Sequence, residues 1–162
     1  MAKDSTPPRN ENRSAPISEA FRAFIQTGWA QPAPVSARPW PVSRNAAGRR
    51  DEISAQFPGV TLIVPAGSPK QRSNDTDYPF RPHSAFTYLT GWGHSATPGS
   101  ILIAIATATG HEWELVMRGP APRTSDEFYA NAAIGEFWTG RRPTLEDVGT
   151  WLGLNTRERE GF

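Results

Sequence analysis

Ser100-Ile-Leu-Ile-Ala-Ile-Ala106, followed by the turn Thr109-Gly110 and by His111-Glu-Trp-Glu-Leu-Val-Met117, is the stretch that decides the fold of this chain. The first run is apolar at every alternate position on both sides, the pattern of a central strand covered by helices on both faces. The second run alternates, which turns Trp113, Leu115 and Met117 inward and leaves the run half-buried, with His111 exposed at the turn. The short Gly-containing connection makes the two an antiparallel hairpin.

Working outward from this hairpin, Val60-Thr-Leu-Ile-Val64 reads as a buried β-branched strand, closed by Pro65-Ala-Gly67. Between it and the hairpin, the polar loop Arg72–Pro82 leads into a further strand over Ser84–Thr90, with Phe86 and Tyr88 on one face and Leu89 on the other. Upstream, Ser43 caps a helix running to about Phe57. Ala46, Ala47, Ile53 and Phe57 form its apolar side, Arg49, Arg50, Asp51 and Glu52 its wet side, and Pro58-Gly59 its stop. Residues 31–42 are a proline linker with Trp40 as an anchor, and Ser18 caps a short helix bearing Phe21, Phe24 and Ile25 and ended by Gly28. Residues 1–16 lack large apolar side chains and read as a disordered tail. Downstream, Ser125 caps a helix carrying Phe128, Ala132 and Ile134. Glu136–Arg142 is a compact polar-aromatic loop, and Thr144 caps a last helix with Leu145, Val148, Trp151 and Leu152, stopped by Gly153. The charged tail Arg157–Glu160 ends without a terminal element. The order of elements predicts an α/β layer structure with a mixed sheet.

Composition narrows the function classes. The chain has 162 residues, enough for one α/β domain, and 16 prolines, which account for part of its low mean hydropathy of −0.53. A net charge of +1 is too balanced to argue for nucleic acid or an anionic membrane as partner. No run approaches the length of a bilayer span, and the polar N-terminus has no secretory h-region. There is no cysteine, which excludes disulfides and thiolate metal sites and suits a reducing cytosol. A cytoplasmic protein is the expectation.

Few side chains combine into chemistry. Asp75, Asp77 and His83 are the one local cluster with metal-ligand character, but without a spaced partner the pattern favours a solvated Asx-type turn. His83 and Ser84 adjoin in a predicted strand and point to opposite faces, so they form no nucleophile–base pair. His94 lies in Gly91-Trp-Gly-His and reads as a surface residue. The glycines of that loop do not complete a dinucleotide fingerprint. Arg141-Arg142 could hold an anion, although a charged approach to the last helix is the simpler reading. Trp138 either fills a local core or presents an amphipathic indole at an interface. Composition and spacing alone give no self-sufficient catalytic set.

Two motifs carry a resemblance. Asn74-Asp75-x-x-Tyr78-Pro-Phe80-Arg81-x-x-Ser84-x-Phe86-x-Tyr88-Leu89-Thr90-Gly91 and, later, Glu136-Phe-Trp138-Thr-Gly140-Arg141-Arg142 resemble, in order, the two signatures of the N-terminal domain of aminopeptidase P, the Xaa-Pro aminopeptidases of the creatinase/prolidase family. Arg49-Arg50 in a helix before Phe57-Pro-Gly-Val-Thr-Leu-Ile-Val64 is similar to that domain's opening. The resemblance covers residues 44–155. It implies a mixed sheet flanked by helices, ribonuclease-H-like in layout, over residues 43–156. Residues 1–42 would be an extension and 157–162 the start of a linker to a catalytic domain absent from the chain. It also implies a whole enzyme that removes an N-terminal residue preceding proline with two metal ions, usually Mn²⁺, that activate a bridging water. The ligands of those ions would belong to the catalytic domain, so no catalytic or metal residue carries over here. What carries over is a substrate-site rim, Asp75 and Trp138, with Arg81, Tyr88 and Arg141 as secondary members. Trp138 matches a tryptophan that borders a neighbouring subunit's active site, which implies a homo-oligomer. At Ala85 the sequence departs from the signature, which has an acid there. The alternatives are a stand-alone binding or assembly module, and the same domain of a creatinase-like amidinohydrolase that uses no metal.

Overall fold

The computed structural model describes residues 18–30, 36, 38–74, 76–132 and 134–159. In chain order the elements are α1 (Glu19–Ile25), α2 (Pro41–Gln56), β1 (Leu62–Pro65), β2 (Gln71–Ser73), β3 (Thr76–Asp77), α3 (Ser84–Thr90), β4 (Ile101–Thr107), β5 (Gly110–Met117), α4 (Glu127–Ala130), α5 (Glu136–Thr139), α6 (Leu145–Leu152) and β6 (Asn155–Glu158). They fall into two compact units. One joins Met1–Ala33 to Pro120–Arg141, and the other joins Pro34–Gly119 to Arg142–Phe162. The tail expected over residues 1–16 and most of the proline linker lie outside the described residues.

The second unit is layered. Its four-stranded sheet has the order β1-β4-β5-β6. β1 and β4 pair antiparallel, as do β4 and β5, whereas β6 runs parallel to β5, so the sheet is mixed as expected. The hairpin closes in register from Ile101 opposite Val116 to Thr107 opposite Gly110. Leu102, Leu115 and Met117 are completely buried and pack with Phe86 and Trp92 and with Val148 and Leu152 of α6. Each such large side chain contributes about 1.5–3 kcal/mol through removal from water.

Several expectations change here. β4 is central, but among the described residues of this unit helices cover only one of its faces: Leu102 and Ala104 are buried while Ile105 is 41 % exposed. Val60–Val64 is likewise no fully buried strand. β1 begins at Leu62 and forms the sheet's edge in this unit, with Ile63 66 % exposed. Ser84–Thr90 is a helix, not a strand. Phe86, Leu89 and Thr90, spaced by three and four, face the core while Tyr88 is exposed. Gly91, at φ 74°, closes α3, and an added Cβ there would come within 2.8 Å of Val42 Cγ1.

α2 starts at Pro41, not after Ser43, because a proline fits the first helical position and Trp40 is held in place as N-cap. The Trp40 indole stacks on Trp151 at 4.9 Å, the backbone N–H of Trp40 donates to Trp151 O, and Trp151 Nε1 donates to Ser36 O. This is the anchoring expected of Trp40. Arg50, expected on the wet side of α2, is buried. It and Arg49 donate to Leu89 O and Tyr88 O, the open carbonyls at the C-terminal end of α3. Thr144 and Asp147 form a reciprocal capping box at the start of α6, and Gly153, at φ 63°, ends it. The expectation that Arg157–Glu160 holds no terminal element is also corrected. β6 extends the sheet there, and Arg157 pairs bidentately with Glu114 across the ladder.

The first unit is built from short turns. Ser18 caps α1 by accepting from Phe21 N, as expected, and Gly28 follows at φ 78°. The helix expected after Ser125 is a single turn, α4, and the loop expected over Glu136–Arg142 contains another, α5. A bridge between Ala121 and Gly135 ties them, with Ala121 N donating to Ile134 O and Glu136 N to Ala121 O. Gly135 is required by contact: a Cβ there would lie 2.2 Å from Phe128 O.

Candidate functional site

The first signature segment occupies a bent path in the layered unit. β2 and β3 make a small antiparallel ladder, after which the turn Tyr78-Pro-Phe-Arg-Pro82 descends to α3. Three backbone bonds tie the path and its surroundings to the segment after β1: Tyr78 N donates to Lys70 O, His83 N to Ala66 O, and Gly99 N to Gly67 O. Gly67, at φ 93°, lets the His83 ring lie against the backbone, where a Cβ would stand 2.8 Å from Nε2. The result is a recess whose walls include Lys70, Tyr78, Phe80, Arg81, His83 and Ser84.

Within this segment the proposed rim residues have different settings. Asp75 lies outside the described residues. Arg81 is exposed on the recess wall. Tyr88 is 51 % exposed, with the Arg49 guanidinium 4.5 Å from its ring centroid, so its ring is held by a cation–π contact as well as by the backbone bond to Arg49. Asp77 is exposed in β3. Among the described residues no three His, Cys, Asp or Glu side chains converge in a way that could hold a metal ion. His83 and Ser84 make no hydrogen bond to each other. The reason is now helical geometry, since His83 is the N-cap of α3 and Ser84 its first residue.

The second signature segment lies in the aromatic unit. Trp138 stands on α5, 48 % exposed, and its Nε1 donates to Tyr129 O at 2.5 Å. Its ring leans on Phe137 (5.1 Å) and Tyr129 (5.4 Å). One indole face is thus backed by rings, the polar edge is satisfied, and the remainder meets solvent. Trp138 thus belongs to a local aromatic cluster while 48 % of it stays exposed. Phe137 also meets Trp29 and Phe128 edge-on, which joins α1's flank to α4 and α5. Arg141 is exposed, whereas burial lowers the pKa of Arg142 from its ordinary value.

Two groups were misjudged from sequence. His111, expected to be exposed, is half-buried. Its Nε2 donates to Val60 O (2.7 Å), which leaves Nδ1 to share a 2.7 Å hydrogen bond with Ser54 Oγ. Arg50 is 5 % exposed. Its position four residues after Ala46 and three before Ile53 was the available signal, because that spacing puts it on the packed face of α2. His94 is exposed as expected.

Residues 46–158 match the model of the aminopeptidase P N-terminal domain. Xaa-Pro aminopeptidase 2 of Streptomyces coelicolor is 36 % identical over 151 residues, 93 % of this chain and 32 % of that protein. Xaa-Pro aminopeptidase 1 of the same organism is 34 % identical over 138 residues, 85 % of this chain and 27 % of that protein. The solved structure of proline aminopeptidase P II from Yersinia pestis superposes with a TM-score of 0.56 at 30 % identity, covering 72 % of this chain and 24 % of that one. The chain therefore spans about a third of the length of the curated relatives it matches. By its family match, its relatives and its fold, this chain belongs to the aminopeptidase P N-terminal domain family.

Proposed function

We propose that this chain acts as the N-terminal, non-catalytic domain of a Xaa-Pro aminopeptidase, the hydrolase that removes an N-terminal residue preceding proline, and that it shapes substrate access and subunit contacts. The observation that carries the reading is Trp138, an exposed indole locked by its bond to Tyr129 O within the second signature segment. A rigid aromatic wall of this kind can border an extended peptide and exclude water from it at little entropic cost. Asp75, with Arg81, Tyr88 and Arg141 beside it in rank, would supply the polar part of the rim, a carboxylate there orienting a basic group of the peptide. The metal ions of the whole enzyme, manganese by family resemblance, do not fit the described residues of this chain, and no chemical step is assigned to it. The enzyme would be a homo-oligomer in which Trp138 faces a neighbouring active site. Among the described residues no helix is long and apolar enough to cross a membrane.

The test is Trp138→Ala in the full-length enzyme, with kcat/KM on an Xaa-Pro peptide and the oligomeric mass measured together. The expected outcome is a lower kcat/KM, a smaller assembly, or both. Unchanged values for the two would remove the assigned role. The isolated chain, given the same peptide and Mn²⁺, should show no turnover. Hydrolysis by it would overturn the non-catalytic reading.

A further inference from the structure

Arg50 presents an unusual balance. It is 5 % exposed, yet among the described residues its one hydrogen bond runs from Nη1 to Leu89 O at 2.9 Å. A guanidinium carries five N–H donors. No carboxylate among the described residues forms an ion pair with it. Desolvation lowers its pKa, with the charge of Asp51 opposing that shift. Among the described residues the buried side-chain atoms that lack any partner are Trp92 Nε1 and Thr97 Oγ1, and none belongs to Arg50. Arg50 lines a cleft of about 400 Å³ between α2, β5, α6 and the segment after α6, so its side chain borders open space. A cation removed from water without a direct ion pair is costly, and an anion arriving on its cleft side would relieve that cost.

The other walls of the cleft restrict the anion. Asp51 and Glu112 line it and are exposed, Trp113 forms an aromatic side, and the Asn155 amide reaches Glu112 Oε1 at 3.4 Å. A bare anion would meet repulsion from both carboxylates, whereas a molecule with a carboxylate at one end and an ammonium at the other satisfies both signs. We infer that this cleft binds the zwitterion of a free amino acid or short peptide, its carboxylate paired with the cleft side of Arg50 and its ammonium with Glu112 and Asp51. A planar guanidinium edge suits bidentate pairing with a carboxylate. The site lies wholly within the layered unit and stands independently of the peptidase reading.

The experiment is a titration of the isotope-labelled chain, following the Arg50 Nε–H and Trp113 Nε1–H resonances. Glycylglycine is the zwitterion, acetate the carboxylate alone, and inorganic phosphate a competing anion. Saturable shifts at both resonances are expected with glycylglycine, with affinity about tenfold above that for acetate. Glu112→Gln alters an exposed side chain outside the core and should close the gap between the two ligands, glycylglycine weakening as its ammonium loses a partner and acetate tightening as one repulsion is removed. Arg50→Gln should abolish binding of both. Should that variant unfold through loss of the bond to Leu89 O, the Glu112→Gln comparison still decides. Absence of saturable shifts with glycylglycine would overturn the inference. So would phosphate or acetate binding as tightly as glycylglycine, or an unchanged glycylglycine affinity in Glu112→Gln. None of these results bears on whether Trp138 serves the full enzyme.

Discussion

In the layered unit, aliphatic side chains spaced along β4 and β5 meet helices from distant parts of the chain. Leu102, Leu115, Met117, Val148 and Leu152 vanish completely from solvent. In the aromatic unit, single helical turns hold rings that pack on one another at 4.9–6.2 Å and stay partly wet, among them Trp29 at 46 %, Phe137 at 39 % and Trp138 at 48 % exposure. A sheet ladder fixes its residues through backbone bonds and can bury flexible aliphatics. A turn has few such bonds and relies on stiff, large side chains whose polar edges are tied locally, as Trp29 Nε1 is to Ile25 O and Trp138 Nε1 to Tyr129 O. The lesson is that the layered unit uses Phe86 and Trp92 as filling, whereas the other keeps Trp29, Phe137 and Trp138 partly at the surface.

Substitutions can break or sharpen this contrast. Phe86→Ala should be the most damaging, because a completely buried ring on α3 leaves a cavity in the layered core. The expected loss is about 3–5 kcal/mol, read from urea denaturation. A loss near 1 kcal/mol would mean that the core closes over the gap, as aliphatic packing would not be expected to allow. Gly135→Ala tests the aromatic unit. Its Cβ meets Phe128 O, so the turn must open at a cost of about 1–3 kcal/mol. The Trp138 Nε1–H resonance should move while resonances of β4 and β5 stay in place. Movement of the β4 and β5 resonances as well would break the contrast.

Thr144→Ala removes the capping box of α6 and should destabilise the layered unit by ~1 kcal/mol. Amide exchange should accelerate most in the first turn of that helix. The smallest effect belongs to Glu114→Gln. Its partner Arg157 is 57 % exposed, so screening limits the bidentate pair to about 0.2–1 kcal/mol, a difference that should fade in high salt.

Much of the layered unit is legible in the sequence because its signals are local. The alternation of His111–Met117, the turn at Thr109-Gly110 and the Thr144 cap followed by Gly153 each act within a few residues. The reading of Ser84–Thr90 as a strand fails for an identifiable reason. Phe, Tyr and Thr favour strands, but burial of Phe86, Leu89 and Thr90 on one helical face overrides that preference. The preceding Pro82 and the following Gly91 were the helix-boundary signals. β6 had none: Asn-Thr-Arg-Glu is polar throughout and becomes a strand only by pairing with Glu114–Met117.

The site divides in the same way. Sequence alone determined the hairpin, the last helix and the family, because periodicity, caps and the two signature motifs are written in contiguous residues. Tertiary structure decided that Leu102 and Ala104 are buried while Ile105 and Ile63 stay exposed, that Trp138 packs on Tyr129 and Phe137 and is still exposed, and that Arg50 is buried beside a cleft. Those outcomes depend on which carbonyls, rings and strands arrive from elsewhere in the chain, and long-range partners leave no mark on the local pattern of the residues they bury.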